Sequence, residues 1–175
     1  NPGILEICGN GIDDNCNGQT DEGCGTCPLP QGDWKSNPSD WPESALPMKL
    51  GNTNTYIQSK LLSLMNAPVK GDASLVLAVQ LIAAKLNFAN GVNPSQEVLE
   101  AIAGSDAIIG TRLLPAKVKS NSTLGKSMTT LAAKLELFNK GVLNQGCSEE
   151  TSTNSATMRL SDLIIVGDLI QVPWN

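Results

Sequence analysis

The sequence predicts a mainly α protein. A four-helix body lies between a small Cys- and Asp-rich loop module at the N-terminus and a β-strand or hairpin at the C-terminus. Three observations lead there. Of 175 residues, 41% are hydrophobic but only 3% aromatic, so the core must be aliphatic, and its Ala and Leu favour helix. Four of the five cysteines (Cys8, Cys16, Cys24 and Cys27) crowd into a Gly-, Asn- and Asp-rich stretch with no hydrophobic period. Residues 161–175 are instead rich in Ile, Val and Leu.

On this reading residues 1–27 form the loop module, 28–147 a Trp/Pro connector plus helical domain, and 148–175 a polar linker and β segment. In the connector, PLPQGDWKSNPSDWPESALP, Trp34 and Trp41 are expected to pack on the core and pin the chain. The first helix is placed at about 55–66, with Ile57, Leu61 and Leu64 on one face and Asn66-Ala67-Pro68 ending it. The second starts after Asp72, a good N-cap, and runs to about 89, where Asn90-Gly91 stops it. It is apolar nearly all round and is therefore expected at the centre. The third opens on Asn93-Pro94-Ser95-Gln96, with Asn93 as cap and Pro94 at the first helical position. It runs to about 103, and a shorter apolar piece continues to 114. The fourth covers about 123–139, with Leu131, Leu135 and Phe138 on one face and Gly141 beyond its end. Near the C-terminus, SDLIIVGDLIQVPW sets Gly167-Asp168 between two apolar runs. It reads as a two-residue-turn hairpin or as one interrupted strand, and either form needs a partner sheet in this chain or a neighbour.

The net charge of −5 is unevenly placed. Glu6, Asp13, Asp14, Asp21 and Glu22 account for five of the 17 acids and lie in residues 1–24, which hold no Lys or Arg; the remainder balances 12 acids against 12 bases. No basic stripe exists to track phosphates, which argues against a nucleic-acid partner. Histidine is absent, removing the usual general base and the commonest transition-metal ligand. The longest strongly apolar stretch, ASLVLAVQLIAA (73–84), is too short to span a bilayer. The chain opens on Asn-Pro-Gly without a basic-then-apolar leader and reads as a mature or processed piece. Clustered cysteines in a loop-rich region point to a secreted, oxidised protein.

The acidic stretch CGNGIDDNCNGQTDEGC carries the candidate chemistry. Asp13, Asn15 and Asn17 alternate, Gly18 follows, and Asp21 and Glu22 come next. Alternating oxygen side chains closed by a glycine turn are how a chain wraps a hard cation, and Asp13–Gly18 meets the opening of an EF-hand loop. The closing acid departs from that form, because the twelfth position is Cys24. The carbonyl of Gln19 is a backbone ligand candidate, and Asn10 and Asp14 lie close by. The plain alternative is a solvated cluster of turns. Against it, five acids without a base repel one another in a disulfide-closed loop, and Ca²⁺ removes that repulsion. Magnesium demands stricter geometry. Zinc would need better-spaced cysteines or histidine. Cys27 precedes the connector and Cys147 follows the fourth helix, so a Cys27–Cys147 bridge is expected to clasp the body. Cys8, Cys16 and Cys24 are left with one odd thiol and open pairing.

Residues 1–24, NPGILEICGNGIDDNCNGQTDEGC, resemble the acidic metal-binding repeats of secreted bacterial proteins of the MopE type, which read roughly NPGA-x-E-x-C-D-G-x-D-N-D-C-D-G-x-x-D-E-G-C. The resemblance implies metal binding by Asp13, Asn15, Asn17, Asp21 and Glu22. That family's repeat commonly continues upstream, so the odd cysteine is expected to reflect a pattern entered part-way. The repeat is linked to copper as well as calcium. Oxygen ligands without His or Met favour calcium here. Residues 28–147 are similar to a helical domain of secreted bacterial surface proteins with the pattern GFWKNHPEAWP and LAHQLIAAKLNxANG, which has no assigned activity. Asn37 and Val79 stand where that pattern has histidines, and the histidine before its last cysteine is missing, which favours a scaffold role.

Two lesser candidates remain. Asn121-Ser122-Thr123 is an N-glycosylation sequon before a helix. Glu97 and Glu100 share a helix face as catalytic acids do, but a solvated face is the simpler account. There is no G-x-S-x-G and no P-loop, and the chain is not expected to be an enzyme. The expectation is a secreted bacterial extracellular or cell-surface structural protein, stabilised by Ca²⁺. It would self-associate into a homopolymer, a fibre or surface layer, by pairing its C-terminal strand with a neighbour, and attach to the cell surface. The alternative is a non-enzymatic adhesive or carbohydrate-binding module of a larger protein, against which the scarcity of aromatic residues speaks.

Overall fold

The structure is a computed structural model that describes residues 11–14, 16, 18, 25–144 and 147. Its elements are α1 (Gln31–Ser36), β1 (Met48–Lys49), β2 (Thr55–Tyr56), α2 (Gln58–Asn66), α3 (Ala73–Ala89), α4 (Gln96–Ile109) and α5 (Thr123–Asn139). Two 3₁₀ turns, Pro38–Asp40 and Glu43–Ala45, lie between α1 and β1.

α3 is the axis of the body, as its all-round apolar sequence requires. Leu77, Ala78, Leu81, Ile82, Ala83, Ala84 and Leu86 are all fully buried. α5 packs against it most extensively, α4 packs on α5, and α1, α2 and α4 also contact α3. Leu135 and Phe138 of α5 are buried and Leu131 packs at the edge of the same core, the face expected from the sequence. The connector is ordered from within: Trp34 and Trp41 are both buried, and the Trp41 indole N–H donates to the Trp34 carbonyl at 2.7 Å.

Asp72 fixes the entry to α3. Its Oδ1 accepts from the Ser74 N–H at 2.9 Å, the Ser74 hydroxyl at 2.7 Å and the Val118 N–H at 3.0 Å, while Oδ2 accepts from the Lys117 N–H at 3.0 Å. The expected cap is therefore also a latch: one carboxylate holds the loop before α5 against the start of α3. Ser122 then caps α5, accepting from the Gly125 N–H at 3.0 Å.

Three sequence readings are corrected. Residues 55 and 56 are not helical; they form β2, antiparallel to β1, with Met48 opposite Tyr56. Ile57 sits in extended backbone at the N-cap of α2 and is 65% exposed, so the apolar stripe is Leu61, Leu64 and Met65. The spacing of Ile57 matched the helix period, but the hairpin takes the chain first. The cap of α4 is Ser95, whose hydroxyl accepts from the Val98 N–H, not Asn93. α4 then runs unbroken to Ile109. Gly104-Ser105 does not interrupt it, because the buried Ser105 hydroxyl donates to the Ala101 carbonyl at 2.7 Å and Leu131 packs over Gly104. The proposed C-terminal strand or hairpin at 161–175 lies outside the described residues. No helix among the described residues is long and apolar enough to cross a membrane.

Candidate metal centre

Asp13, Asp14, Cys16 and Gly18 are the described residues of the acidic loop nearest the expected ligand set. The Asp13 carboxylate, through Oδ2, accepts from the Gly18 N–H at 2.8 Å, closing a turn across the six-residue pattern. Gly18 has φ +93°, a left-handed conformation that any L side chain would strain. The turn that the oxygen-rich pattern required is therefore formed where glycine was expected. Cys16 is exposed and unpaired, and its thiol lies 3.9 Å from the Asp13 carbonyl. Asn15, Asn17, Gln19, Asp21, Glu22, Cys8 and Cys24 lie outside the described residues. Among those described, no three His, Cys, Asp or Glu side chains come together as a metal cluster.

The other expected covalent feature is present. Cys27 and Cys147, 120 positions apart in sequence, are joined by a disulfide with Cα atoms 5.4 Å apart. It closes the chain around the body at the C-terminal ends of α3 and α5, where a second device lies that the sequence reading missed. The fully buried Asn87 of α3 uses its whole hydrogen-bonding capacity. Its Oδ1 accepts from the Leu29 N–H at 2.8 Å and the Trp34 indole N–H at 3.0 Å. Its Nδ2 donates to the Leu29 carbonyl at 2.9 Å and to Asn139 Oδ1 at 3.0 Å. Asn139 in turn donates to the carbonyl and side-chain oxygens of Gln80. One amide thus ties the entering chain, α1, α3 and α5 together two residues beyond Cys27. The available signal was an amide embedded in an otherwise apolar helix, which has to find partners.

The acids weighed as catalytic are engaged in ordinary surface contacts. Glu97 pairs with Lys134 at 2.9 Å, and Glu100 accepts from the Gln96 amide at 3.2 Å. Asn121 is exposed in the turn before α5. A further ion pair joins Lys85 of α3 to Asp106 of α4 at 2.7 Å. Lys85 also donates to the Lys49 carbonyl, and Asp106 accepts from the Gly51 N–H, so this pair moors the hairpin to both helices.

Residues 1–22 match the Cu-binding MopE family model, described as "Putative metal-binding motif". The first residues of the chain are MopE-like. The matched stretch includes Asp13, Asn15, Asn17, Gln19, Asp21 and Glu22 and stops short of Cys24 and Cys27. Comparison with curated proteins and with solved structures gives no match. The resemblance of residues 28–147 to a helical surface domain gains no support from these comparisons. The donor set tests the MopE-like motif against a metal. The chain has no histidine, its first methionine is Met48, and the described atoms of the motif offer carboxylate oxygens and one thiol. Carboxylate oxygens suit hard cations and a thiolate suits copper, so the described donors fit a metal-binding motif without selecting the metal.

Proposed function

We propose that this is a secreted bacterial structural protein of the cell surface or extracellular space. Its N-terminal motif binds Ca²⁺, and its disulfide-closed helical body assembles into a homopolymer through the C-terminal segment. The observation that carries the reading is the turn at Asp13–Gly18, a carboxylate folded back onto the glycine N–H at the sixth position of a calcium-type loop. Asp13, Asn15, Asn17, Asp21 and Glu22 supply side-chain oxygens and Gln19 a carbonyl. The ion's role is structural: it neutralises five acids and contributes binding energy that a stretch of 24 residues cannot obtain from a core. The Cys27–Cys147 disulfide supports an oxidising location. The Ile-, Val- and Leu-rich run at 163–172 supports assembly, since such a segment is a hazard unless paired.

Sedimentation of the non-reduced protein, first in calcium and then in excess chelator, tests both halves. Large particles in calcium that fall to monomers in chelator are the expected result. A monomer under both conditions would remove the polymer from the account and leave the loop as a staple within one chain.

A further inference from the structure

A groove of about 490 Å³ runs between β1, the C-terminal half of α3 and α4. Ala45, Pro47, Met48, Phe88, Leu99 and Ile102 form its apolar walls, and the Lys85–Asp106 pair sits at its side. Phe88 is 55% exposed and Leu99 39% exposed, so two large apolar side chains of adjoining walls face solvent in the isolated chain. The outer edge of β1 belongs to the same groove. Leu50 donates to the Asn54 carbonyl, which makes Leu50–Asn54 a hydrogen-bonded pair and the next pair, Lys49–Thr55, a non-bonded one. The peptide groups of Lys49 therefore point away from β2. Its carbonyl does so visibly, accepting from Lys85 in the groove wall.

We propose that this groove receives residues 163–172, LIIVGDLIQV, of a second copy of the chain, laid alongside β1. The inference rests on the assembly reading above and names its acceptor. The occupant fits by chemistry. It has two aliphatic runs to cover Phe88 and Leu99. Asp162 and Asp168 flank the first run, and Lys49 is exposed at the rim. It also fits by reach. Cys147 is anchored to Cys27, and the 13 residues 148–160 between the anchor and Ser161 extend to at most about 45 Å, enough to cross to a neighbour. The apolar walls would supply the contact area and select the side chains, with the Lys49 N–H as the backbone donor on this edge.

Photo-cross-linking tests the assignment on the full-length, non-reduced protein. A benzophenone amino acid replaces Leu99 in one preparation and Ile57, which is exposed away from the groove, in another. The inference predicts that position 99 cross-links to residues 161–175 in species of dimer mass or larger and that position 57 does not. It also predicts that Phe88→Asp lowers that yield about tenfold, the effect of roughly 1.4 kcal/mol at the contact. Cross-links from position 99 to other residues, in protein that still assembles, would overturn the groove assignment and leave the assembly reading standing. Cross-links to 161–175 at monomer mass would show a chain covering its own groove and would overturn the second copy. Monomers without any cross-link to 161–175 would overturn both.

Discussion

The helical body and the acidic stretch before it hold their chain by opposite means. The body buries an aliphatic core and satisfies its buried polar groups with protein partners. At one end of α3 the Asp72 carboxylate accepts four hydrogen bonds; at the other the Asn87 amide makes four, with the Cys27–Cys147 disulfide alongside. Residues 1–24 have five acids, no base and few apolar side chains. Residues 1–22 match a motif described as metal-binding, and on the reading proposed above a bound cation supplies there what a core supplies in the body. The difference teaches that the two regions should respond to different perturbations: the body to loss of internal partners, the motif to loss of the ion.

The strongest break is expected at the disulfide. Cys27→Ser with Cys147→Ser opens a 120-residue closure and should cost about 4 kcal/mol, read by denaturant unfolding, while calcium affinity is unchanged. Next comes Asn87→Ala, which leaves the Leu29 peptide groups, the Trp34 indole and the Asn139 carbonyl oxygen without their partner. Its expected cost is about 3 kcal/mol, again by denaturant unfolding. Gly125→Ala should cost about 2 kcal/mol, because a Cβ there would overlap the Lys119 carbonyl and push the latched loop off α5; thermal unfolding measures it. The smallest effect on the body is expected from Gly18→Ala. Body stability should stay within about 0.5 kcal/mol of the parent protein. Calcium affinity should fall about fivefold, because the left-handed turn opposite Asp13 becomes strained by roughly 1 kcal/mol. If Gly18→Ala instead destabilised the body, the separation of the two regions would be lost.

Much of the body was legible in the sequence because its signals are local. The bounds of α3 follow from a capping Asp72 and a stop at Asn90-Gly91, and the end of α5 from Gly141 beyond it. The Cys27–Cys147 bridge was legible because the two cysteines bracket the helical region. What escaped depends on the rest of the molecule. Ile57 has helical spacing, yet the hairpin claims the two residues before it. Asn93-Pro94 is a good helix start, yet Ser95 two residues later makes the actual capping bond. Asn87 carries no periodic signal at all, and its role emerges only when Leu29, Trp34 and Asn139, up to 58 residues away, converge on it. In the motif, alternating oxygen ligands and a glycine announced a turn, and Asp13 and Gly18 form one. The identity of the ion is a matter of donor chemistry, not of spacing, and only binding decides it.

That makes direct metal titration of the full-length, non-reduced protein the decisive measurement. Calcium and copper(II) are each titrated calorimetrically into the parent protein and into Asp13→Ala. The account predicts one calcium bound per chain, binding lost in Asp13→Ala, and no saturable copper site dependent on Asp13. Saturable copper binding that disappears in Asp13→Ala, with no heat from calcium, would contradict it.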